Sequence, residues 1–367
     1  MPAIAPETLK AADEAINLLQ QLIATQSFSR EEDNTADIIA SFLEARGVQV
    51  HRLKHNVWVK SKDFDSKKPT ILLNSHHDTV KPASTYTRDP FSPDIEDNIL
   101  YGLGSNDAGG ALVCLLQAFL LLNEHSERSF NIIFVASAEE EISGKDGIAA
   151  LLPELGKIDL AIVGEPTAMQ MAVAEKGLMV IDGVAQGKSG HAARNEGLNA
   201  IYIAMEDIQK LKEFRFPIKS TTLGEIRISV TQINAGTQHN VVPDRCSFVV
   251  DVRTHEQYSN SEVFAILQDM VQSELTARSF RLNASGIPDS HPLVQKGLAM
   301  GLKAYGSPTL SDQALMSGFP SLKIGPGMSA RSHTADEYIK LSEIREGINI
   351  YLQLLRGLSL PDKYHSS

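Results

Sequence analysis

Cysteine is scarce in this chain of 367 residues, where only Cys114 and Cys246 occur, far apart in the sequence. Two distant cysteines are too few for a disulfide framework or for a metal site built from thiolates. A metal-binding site in this protein must therefore use the side chains of histidine, aspartate and glutamate.

The sequence also lacks basic blocks and long apolar runs. Its 34 basic residues are outnumbered by 45 acidic ones, and the formal net charge of -11 argues against nucleic acid or an anionic membrane surface as the main partner. No uninterrupted apolar stretch approaches the ~18 residues needed to span a bilayer, and the beginning of the chain has no charged segment followed by an apolar run. We expect a cytoplasmic protein that acts on a small molecule, without a nucleic-acid or membrane partner.

Apolar residues make up 43% of the chain, enough for a full core, and the length suits two domains. Near-continuous apolar runs at 70–75, 130–137 and 159–164 are typical of parallel strands that are covered on both faces. A segment that begins near Asp107 is apolar nearly all round and predicts a buried helix. These runs alternate with helical patterns, so the sequence predicts an α/β fold.

From about residue 174 the pattern changes to that of a second unit. In chain order it predicts strand 178–185, helix 197–213, strand 224–233, strand 246–253, helix 260–275 and strand 279–284. This βαββαβ order is that of a ferredoxin-like unit. Because an α/β pattern resumes after Ser285, we predict one domain from residues 1–173 and 285–367, with residues 174–284 inserted into it.

Histidines and carboxylates directly follow the predicted strands of the first domain. In an open α/β sheet, ligands bind beyond the carboxyl ends of the strands. Together with Asp107 at the start of the buried helix, the residues at these ends are His76, His77, Asp78, Glu139, Glu140, Glu141, Glu165 and His333. Singly, each has a structural explanation. A histidine at a strand end is commonly a hydrogen-bonded polar residue, Asp107 could cap its helix, and Glu165 could belong to a turn.

Three consecutive glutamates at 139–141 are harder to explain without a ligand, because like charges side by side at the end of a sheet repel each other. Two divalent metal ions would offset this charge. Imidazole and carboxylate ligands without cysteine suit zinc, with cobalt or manganese as substitutes. Alternation along a strand puts His76 and Asp78 on one side, so that Asp78 can hydrogen-bond a metal-bound His76 while His77 points away. The same alternation separates the last two glutamates, so that one can bind metal while its neighbour carries protons.

With these motifs in this order, the chain resembles a known family, the dinuclear zinc amidohydrolases that include acetylornithine deacetylase, succinyl-diaminopimelate desuccinylase, aminoacylase and a glutamate carboxypeptidase. The match covers nearly the whole chain, and the order and spacing of the motifs are highly specific. The segments similar to the family's metal-centre motifs are NSHHDTVKP, YGLGSNDAGGA, SAEEEISG, VGEPT and SHTADEYI. GKSGHAARNEGLNAI and GTQHNVVPD resemble signature segments of its lid. The resemblance implies a zinc-peptidase-like α/β/α catalytic domain with an inserted ferredoxin-like lid that also forms a homodimer.

The resemblance implies a metal role for five of these residues. His76 and Glu165 would hold one zinc ion, Glu141 and His333 would hold the other, and Asp107 would bridge both. The sequence departs from the family pattern at two positions that are not ligands. Glu139 stands where aspartate is common, and Ser75 stands where glycine is common.

The resemblance also implies roles beside the metal ions. Glu140 would be the general acid/base, and Asp78 would orient the first histidine ligand. In the lid, His191 would help to polarise the scissile carbonyl in the site of the other subunit, while Asn240 and Arg253 would contact the substrate. From the residues alone, His191 could equally be a turn residue, and Arg253 could be half of an ion pair.

The activity implied by the resemblance is zinc-dependent hydrolysis of the amide bond of an N-acyl-L-amino acid, with two Zn2+ per chain and Co2+ or Mn2+ as substitutes. The branch it most resembles is acetylornithine deacetylase, an enzyme of arginine biosynthesis. Deacetylation of acetylcitrulline, removal of a succinyl group, and a dipeptidase or carboxypeptidase activity are the enzymatic alternatives. An inactive metal-binding scaffold is the non-enzymatic alternative.

Overall fold

The computed structural model describes residues 4–124, 128–194 and 196–360. The chain separates into a first unit, Met1–Val173, Ile287–Tyr305 and Ser311–Ser367, and a second unit, Ala174–Gly286 and Gly306–Leu310. The predicted insert and the second unit share most of their residues, although the sequence pattern left 306–310 with the first domain. The predicted domains also include residues 1–3, 125–127, 195 and 361–367, which lie outside the described residues.

Helices and strands are numbered in chain order. The helices are α1 Pro6–Ile23, α2 Asp33–Glu44, α3 Gly110–Asn123, α4 Ile148–Leu155, α5 Ala200–Glu213, α6 Asn260–Met270, α7 Pro292–Ala299 and α8 Leu341–Leu355. The first eight strands are β1 Val50–Leu53, β2 Asn56–Lys60, β3 Thr70–His76, β4 Ile95–Glu96, β5 Ile99–Tyr101, β6 Asn131–Ser137, β7 Leu160–Val163 and β8 Met171–Glu175. The others are β9 Gly177–Gln186, β10 Gly190–His191, β11 Arg227–Ala235, β12 Val241–Val242, β13 Arg245–Thr254, β14 Glu274–Ala277, β15 Ser285–Gly286, β16 Ala304–Ser307, β17 Ser321–Lys323 and β18 Tyr338–Lys340.

One mixed sheet forms the centre of the first unit, in the order β1-β2-β6-β3-β7-β17-β8. Its middle strands β6, β3, β7 and β17 are parallel. Successive side chains of β3 enter different cores: Leu73 packs in the cluster that contains α1, α3 and α8, and Leu72 packs in the cluster that contains α4. Because both faces of these strands are covered, their sequences are apolar at nearly every position. The predicted α/β fold is confirmed.

Helix α3 is the central helix of the larger core and packs against α1 and α8. Among the described residues, the segment Ser105–Asn123 is long and apolar enough to cross a membrane, but 83% of that window is buried inside the fold. Such burial on all sides explains why α3 has no polar face. Burial in the fold accounts for its composition.

The second unit contains an antiparallel sheet in the order β11-β13-β9-β14. When its four strands are numbered along the chain, this is the 2-3-1-4 order of a ferredoxin-like βαββαβ unit. Along β13, burial alternates strictly: the side chains of Phe248 and Val250 lie in the core with α5 and α6, and the intervening residues are half-buried. The predicted ferredoxin-like pattern is therefore present.

Two predicted elements of this unit were wrong. The helix predicted at 260–275 ends at Met270, and the last strand lies at Glu274–Ala277 instead of 279–284. The buried carboxylate of Asp207 on α5 accepts hydrogen bonds from the backbone N–H groups of Gln272 and Ser273, at 3.0 and 2.7 Å. These bonds hold the bend between α6 and β14, and their acceptor is a residue distant in sequence, which periodicity cannot reveal.

Candidate metal centre

Candidate ligands lie at the ends of three parallel strands, on one edge of the sheet. His76 is the last residue of β3, the glutamates 139–141 follow β6, and Glu165 follows β7. Because β6, β3 and β7 are adjacent and parallel, their carboxyl ends lie side by side. The residues selected by the rule that ligands gather at these ends therefore lie together in the structure.

Asp107 lies in the turn Ser105–Gly109 directly before α3, and its own backbone angles are not helical. The residue that flanks the start of α3 is Gly109, so the alternative that Asp107 caps this helix is wrong. The turn is held by the buried carboxylate of Glu337, which accepts backbone hydrogen bonds from Gly104 at 3.0 Å and from Asn106 and Asp107 at 2.8 Å. Sequence analysis did not select Glu337, because a carboxylate in a loop is ordinarily exposed.

Five side chains form two overlapping groups whose candidate ligand atoms lie within 4.8 Å of one another: His76, Asp107 and Glu165, and Asp107, Glu141 and His333. The two oxygens of Asp107 serve different groups. Oδ1 lies 3.5 Å from His76 Nε2, and Oδ2 lies 3.5 Å from His333 Nε2. His333 Nε2 is also 3.0 Å from Glu141 Oε2, and His76 Nε2 is 3.8 Å from Glu165 Oε1.

The pKa values of the candidate ligands are shifted because several acids lie close together. Burial by itself lowers the pKa of His76, but the neighbouring carboxylates of Glu140 and Asp107 raise it well above its ordinary value. The hydrogen bond with Glu141 raises the pKa of His333 to about 9. Burial raises the pKa of Glu165 to about 8. These shifts follow from the burial and mutual repulsion of carboxylates crowded at one place.

The donor set fits a pair of divalent cations. His76 is buried, and its Nε2 atom has no hydrogen-bond partner among the described residues although three carboxylates surround it within 3.9 Å. An unpaired buried nitrogen that faces acids is costly unless a cation lies between them. Imidazole nitrogen and carboxylate oxygen are ligands that zinc accepts in catalytic sites.

Asp78 contacts His76 differently from the prediction. Nδ1 of His76 lies 2.9 Å from the backbone oxygen of Asp78 and 3.4 Å from its carboxylate Oδ1. The Asp78 carboxylate accepts hydrogen bonds from the hydroxyl of Ser29 at 2.7 Å and from the backbone N–H groups of Glu140 and Glu141 at 3.0 and 3.2 Å. Asp78 therefore holds the acidic turn in place as well as facing the histidine ring.

His77 and Glu139, the other two polar residues at these strand ends, contact residues outside the candidate ligand groups. The His77 ring points away from the cluster and lies within hydrogen-bonding distance of Thr35 Oγ1 and the His55 carbonyl. Glu139 adopts a positive φ of 55° and folds over Gly144, where a Cβ atom would come within 1.8 Å of its carboxylate. Glu139 thus shapes the loop after β6, which explains one of the three glutamates without a metal.

A second buried acid, Asp312, was also missed. Its Oδ2 accepts hydrogen bonds from Asn74 at 2.8 Å and Ser137 at 2.6 Å, near the ends of β3 and β6. Burial raises the pKa of Asp312 to about 6. It ties together the two strands that carry His76 and the acidic turn. Only the three-dimensional fold brings it there, since it is far from both strands in sequence.

The second unit places the predicted catalytic residue His191 beside Asn240 and separates both from Arg253. His191 on β10 is exposed and pairs with Val241 beside Asn240, whose carbonyl accepts the N–H of Ala192 at 3.1 Å. Arg253 pairs with Leu178 at the opposite end of β9. Eight residues of extended strand, or roughly 27 Å, separate the two ends of the sheet. Arg253 also forms a two-bond ion pair with Asp251, at 2.9 and 3.1 Å, as its structural alternative predicted.

Comparison with known families agrees with this geometry. The family described as "Peptidase family M20/M25/M40" matches residues 72–357, more than half of the chain. The chain belongs to peptidase family M20/M25/M40. It is therefore a metal-dependent amidohydrolase or peptidase, and the resemblance inferred from its motifs is confirmed.

The relatives of this chain within the family are named for different substrates. An acetylornithine deacetylase of Proteus mirabilis is 26% identical, over 95% of this chain and 97% of that protein. A succinyl-diaminopimelate desuccinylase of Wolbachia pipientis subsp. Culex pipiens is 23% identical, over 94% of each chain. The fold is similar to that of a dinuclear metal-binding M20 peptidase of Bacillus subtilis, with a TM-score of 0.74 and 17% identity over 95% of this chain and 100% of that one.

Proposed function

We propose that this enzyme hydrolyses the amide bond of an N-acyl-L-amino acid with two Zn2+ ions per chain, for which Co2+ or Mn2+ can substitute. The observation that carries the proposal is the pair of ligand groups that share Asp107, because two-metal hydrolysis requires adjacent cation sites. His76 and Glu165 would hold one ion, Glu141 and His333 the other, and Asp107 both. When bound, the metal pair supplies Lewis acidity to the scissile carbonyl and to a water molecule.

Glu140 is the candidate general acid and base. It belongs to neither ligand group, and its Oε2 atom lies 3.9 Å from His76 Nε2. Burial raises the pKa of Glu140 well above its ordinary value, which suits a group that exchanges protons near neutral pH. In this role Glu140 takes a proton from the attacking water and delivers it to the departing amine. A positioned acid/base typically contributes ~10² to 10⁴-fold to the rate.

His191 is a further candidate catalytic residue, and Asn240 and Arg253 are the candidate substrate-binding residues. His191 would donate a hydrogen bond to the developing oxyanion, a type of interaction whose loss costs about 3 kcal/mol. Arg253 would clamp the α-carboxylate, for which its planar guanidinium is suited. His191 lies in the separate β10-β12 pair that follows the far end of β9, whereas Arg253 pairs with Leu178 near the start of β9, so one second unit holds the two side chains apart. Two copies of the chain can bring both to one substrate, so we assign His191 to the site of the partner subunit.

A homodimer through the second unit is supported by its surface. Helix α5 and the residue before its cap expose Leu198, Tyr202 and Met205, with exposed fractions of 54%, 65% and 57%. These residues lie at helical spacing on one side. Strand β11, which exposes 51% of Ile233, is at the edge of the sheet and pairs only with β13 among the described strands. An exposed edge strand beside an apolar helix is suited to pairing with a second copy.

The substrate that we favour is N-acetylornithine, an intermediate of arginine biosynthesis. N-acetylcitrulline and N-succinyl amino acids would use the same metal centre with different pockets, and a dipeptidase or carboxypeptidase activity is the second alternative. We also propose a cytoplasmic location, which suits the two free, buried cysteines.

A substrate panel tests this function. The purified protein is stripped of metal, reloaded with Zn2+ and assayed with compounds in which the acyl group and the amino acid vary independently, and with dipeptides. We expect two metal ions per chain and metal-dependent release of acetate from N-acetylornithine. Hydrolysis of dipeptides alone would favour the peptidase alternative. Stoichiometric metal binding without turnover of any compound would favour the inactive scaffold.

A further inference from the structure

Two buried carboxylates bind three consecutive backbone N–H groups of the acidic turn, residues 139–141. Asp78 accepts the N–H groups of the second and third of these residues. The N–H of the first, Glu139, donates to Oε1 of Glu32 at 3.1 Å, and the Glu32 side chain is fully buried. Glu139 is left-handed and residues 140–142 form one 3₁₀ turn, so the successive N–H groups line a concave surface of the kind that binds anions. Glu32 and Asp78 occupy that surface.

The Glu32 carboxylate is itself held in place by its neighbours. Glu32 directly precedes α2, and its Oε1 also accepts the backbone N–H of Arg30 at 2.8 Å. Its Oε2 lies 2.5 Å from Nδ1 of His55, and Nε2 of that ring lies 3.2 Å from the exposed carboxylate of Asp33. A buried carboxylate requires such partners, because burial of an unpaired one is costly. The Oε1 atom is therefore fixed where the N–H of Glu139 meets it.

The segment that carries Glu32 is bonded to the loop after β3. The hydroxyl of Ser27 donates to the His77 carbonyl at 2.8 Å, and the backbone N–H of Thr79 donates to the Ser27 carbonyl at 2.8 Å. The Ser29 hydroxyl donates to the carboxylate that holds the rest of the acidic turn, at 2.7 Å. From this segment Glu32 reaches the turn that follows β6. It thus links the ends of two neighbouring strands that carry candidate site residues.

We propose that Glu32 is a positioning residue for Glu140, the candidate general acid and base. The Glu140 side chain leaves the turn one residue after the N–H that Glu32 binds, so this bond fixes the direction of that side chain. The inference rests on the role proposed for Glu140. A displacement of about 1 Å at a reacting group can cost roughly 100-fold in rate. Asp78 still binds the N–H of the candidate ligand Glu141 when Glu32 is removed, so turnover should suffer more than metal binding.

Steady-state kinetics of the metal-loaded enzyme test this role, with N-acetyl-L-ornithine or with the compound that the substrate panel selects. In Glu32→Ala at saturating Zn2+ we expect about two metal ions per chain, a KM within about threefold of the parent value and a kcat lower by roughly tenfold or more. Glu32→Gln keeps an acceptor oxygen and should retain more of kcat than the alanine variant. Asp33→Ala is the matched control and should change kcat by less than about twofold. Asp33 shares the contact with His55, but it is exposed and does not contact the acidic turn in the part of the chain that the structure describes.

Amide hydrogen exchange of the metal-free full chain, measured by mass spectrometry, tests the same bond without catalysis. In Glu32→Ala the peptide that contains the acidic turn should exchange faster than in the parent, while a peptide within α3 exchanges at the parental rate. Unchanged exchange of the turn, or equally faster exchange in α3, would overturn the positioning role. So would a kcat that falls no further than in Asp33→Ala, or that falls only in proportion to lost metal. If the parent hydrolyses no N-acyl amino acid, the proposed function fails, and hydrogen exchange alone then decides whether Glu32 holds the turn.

Discussion

Removing the carboxylate of Glu337 should loosen the metal centre although Glu337 is not among its candidate ligands. The side chain is 2% exposed and accepts three backbone N–H groups of the turn that carries Asp107. A hydrogen bond contributes about 0.5 to 1.5 kcal/mol net, so three contribute about 1.5 to 4.5 kcal/mol to holding this turn. Groups that position metal ligands typically account for ~10 to 100-fold in metal affinity or activity. Because a tenfold change in affinity corresponds to about 1.4 kcal/mol, a ~10 to 100-fold change overlaps the range estimated from the three hydrogen bonds.

We therefore expect Glu337→Ala to weaken metal binding by about 10 to 100-fold. Metal content after dialysis against graded chelator, measured by mass spectrometry, reports this directly, and kcat at saturating metal shows how much activity returns. Glu337→Gln keeps one acceptor oxygen and should fall between the parent and the alanine variant. Glu96→Ala is the matched control, because Glu96 lies in the small sheet β4-β5-β18, whose strand β18 begins directly after Glu337. Glu96 is exposed and pairs only with Arg88 among the described residues. Metal affinity within twofold of the parent in Glu337→Ala would refute the reasoning.

Three further predictions concern other residues. Glu140→Ala should retain about two metal ions per chain and lower kcat by roughly a thousandfold, because a positioned base is lost. A kcat near that of the parent would show that Glu140 is not the base. In heterodimers of a His191→Ala chain with a Glu140→Ala chain, one of the two sites contains both native residues if His191 acts across the dimer. The activity of the heterodimer should then exceed that of either variant alone. Activity no higher than that of the variants would argue against a shared site. Burial lowers the pKa of His291 to about 4. Because the unfolded state takes up a proton at a pKa near 6.5 and the folded state does not, stability should fall as pH drops from 6.5 to 4, by up to roughly 3 kcal/mol from this residue. Urea unfolding at several pH values should show a shallower loss in His291→Asn, which keeps a capping acceptor, and parallel curves would contradict this.

The strand ends were predictable because each depends on local sequence. A continuous apolar run identifies a covered parallel strand, and the residue after it must lie at the carboxyl edge, which places His76, the acidic turn and Glu165 together. Glu337 and Asp312 could not be selected in this way. Each is a buried acid whose partners, backbone groups near Asp107 or side chains of β3 and β6, are distant in sequence. The same limit explains the misplaced strand at 279–284, since Asp207 acts on residues 272–273 through space.

The residues of the two groups of candidate ligands are translated at different stages of synthesis of the chain. His76, Asp107 and Glu165 all precede residue 174, where the second unit begins, so one group is fully translated before that unit is made. The other group requires His333, which is translated only after the second unit. Glu337, which holds the turn of the shared ligand Asp107, is translated later still, so both groups gain their full support only when nearly the whole chain has emerged.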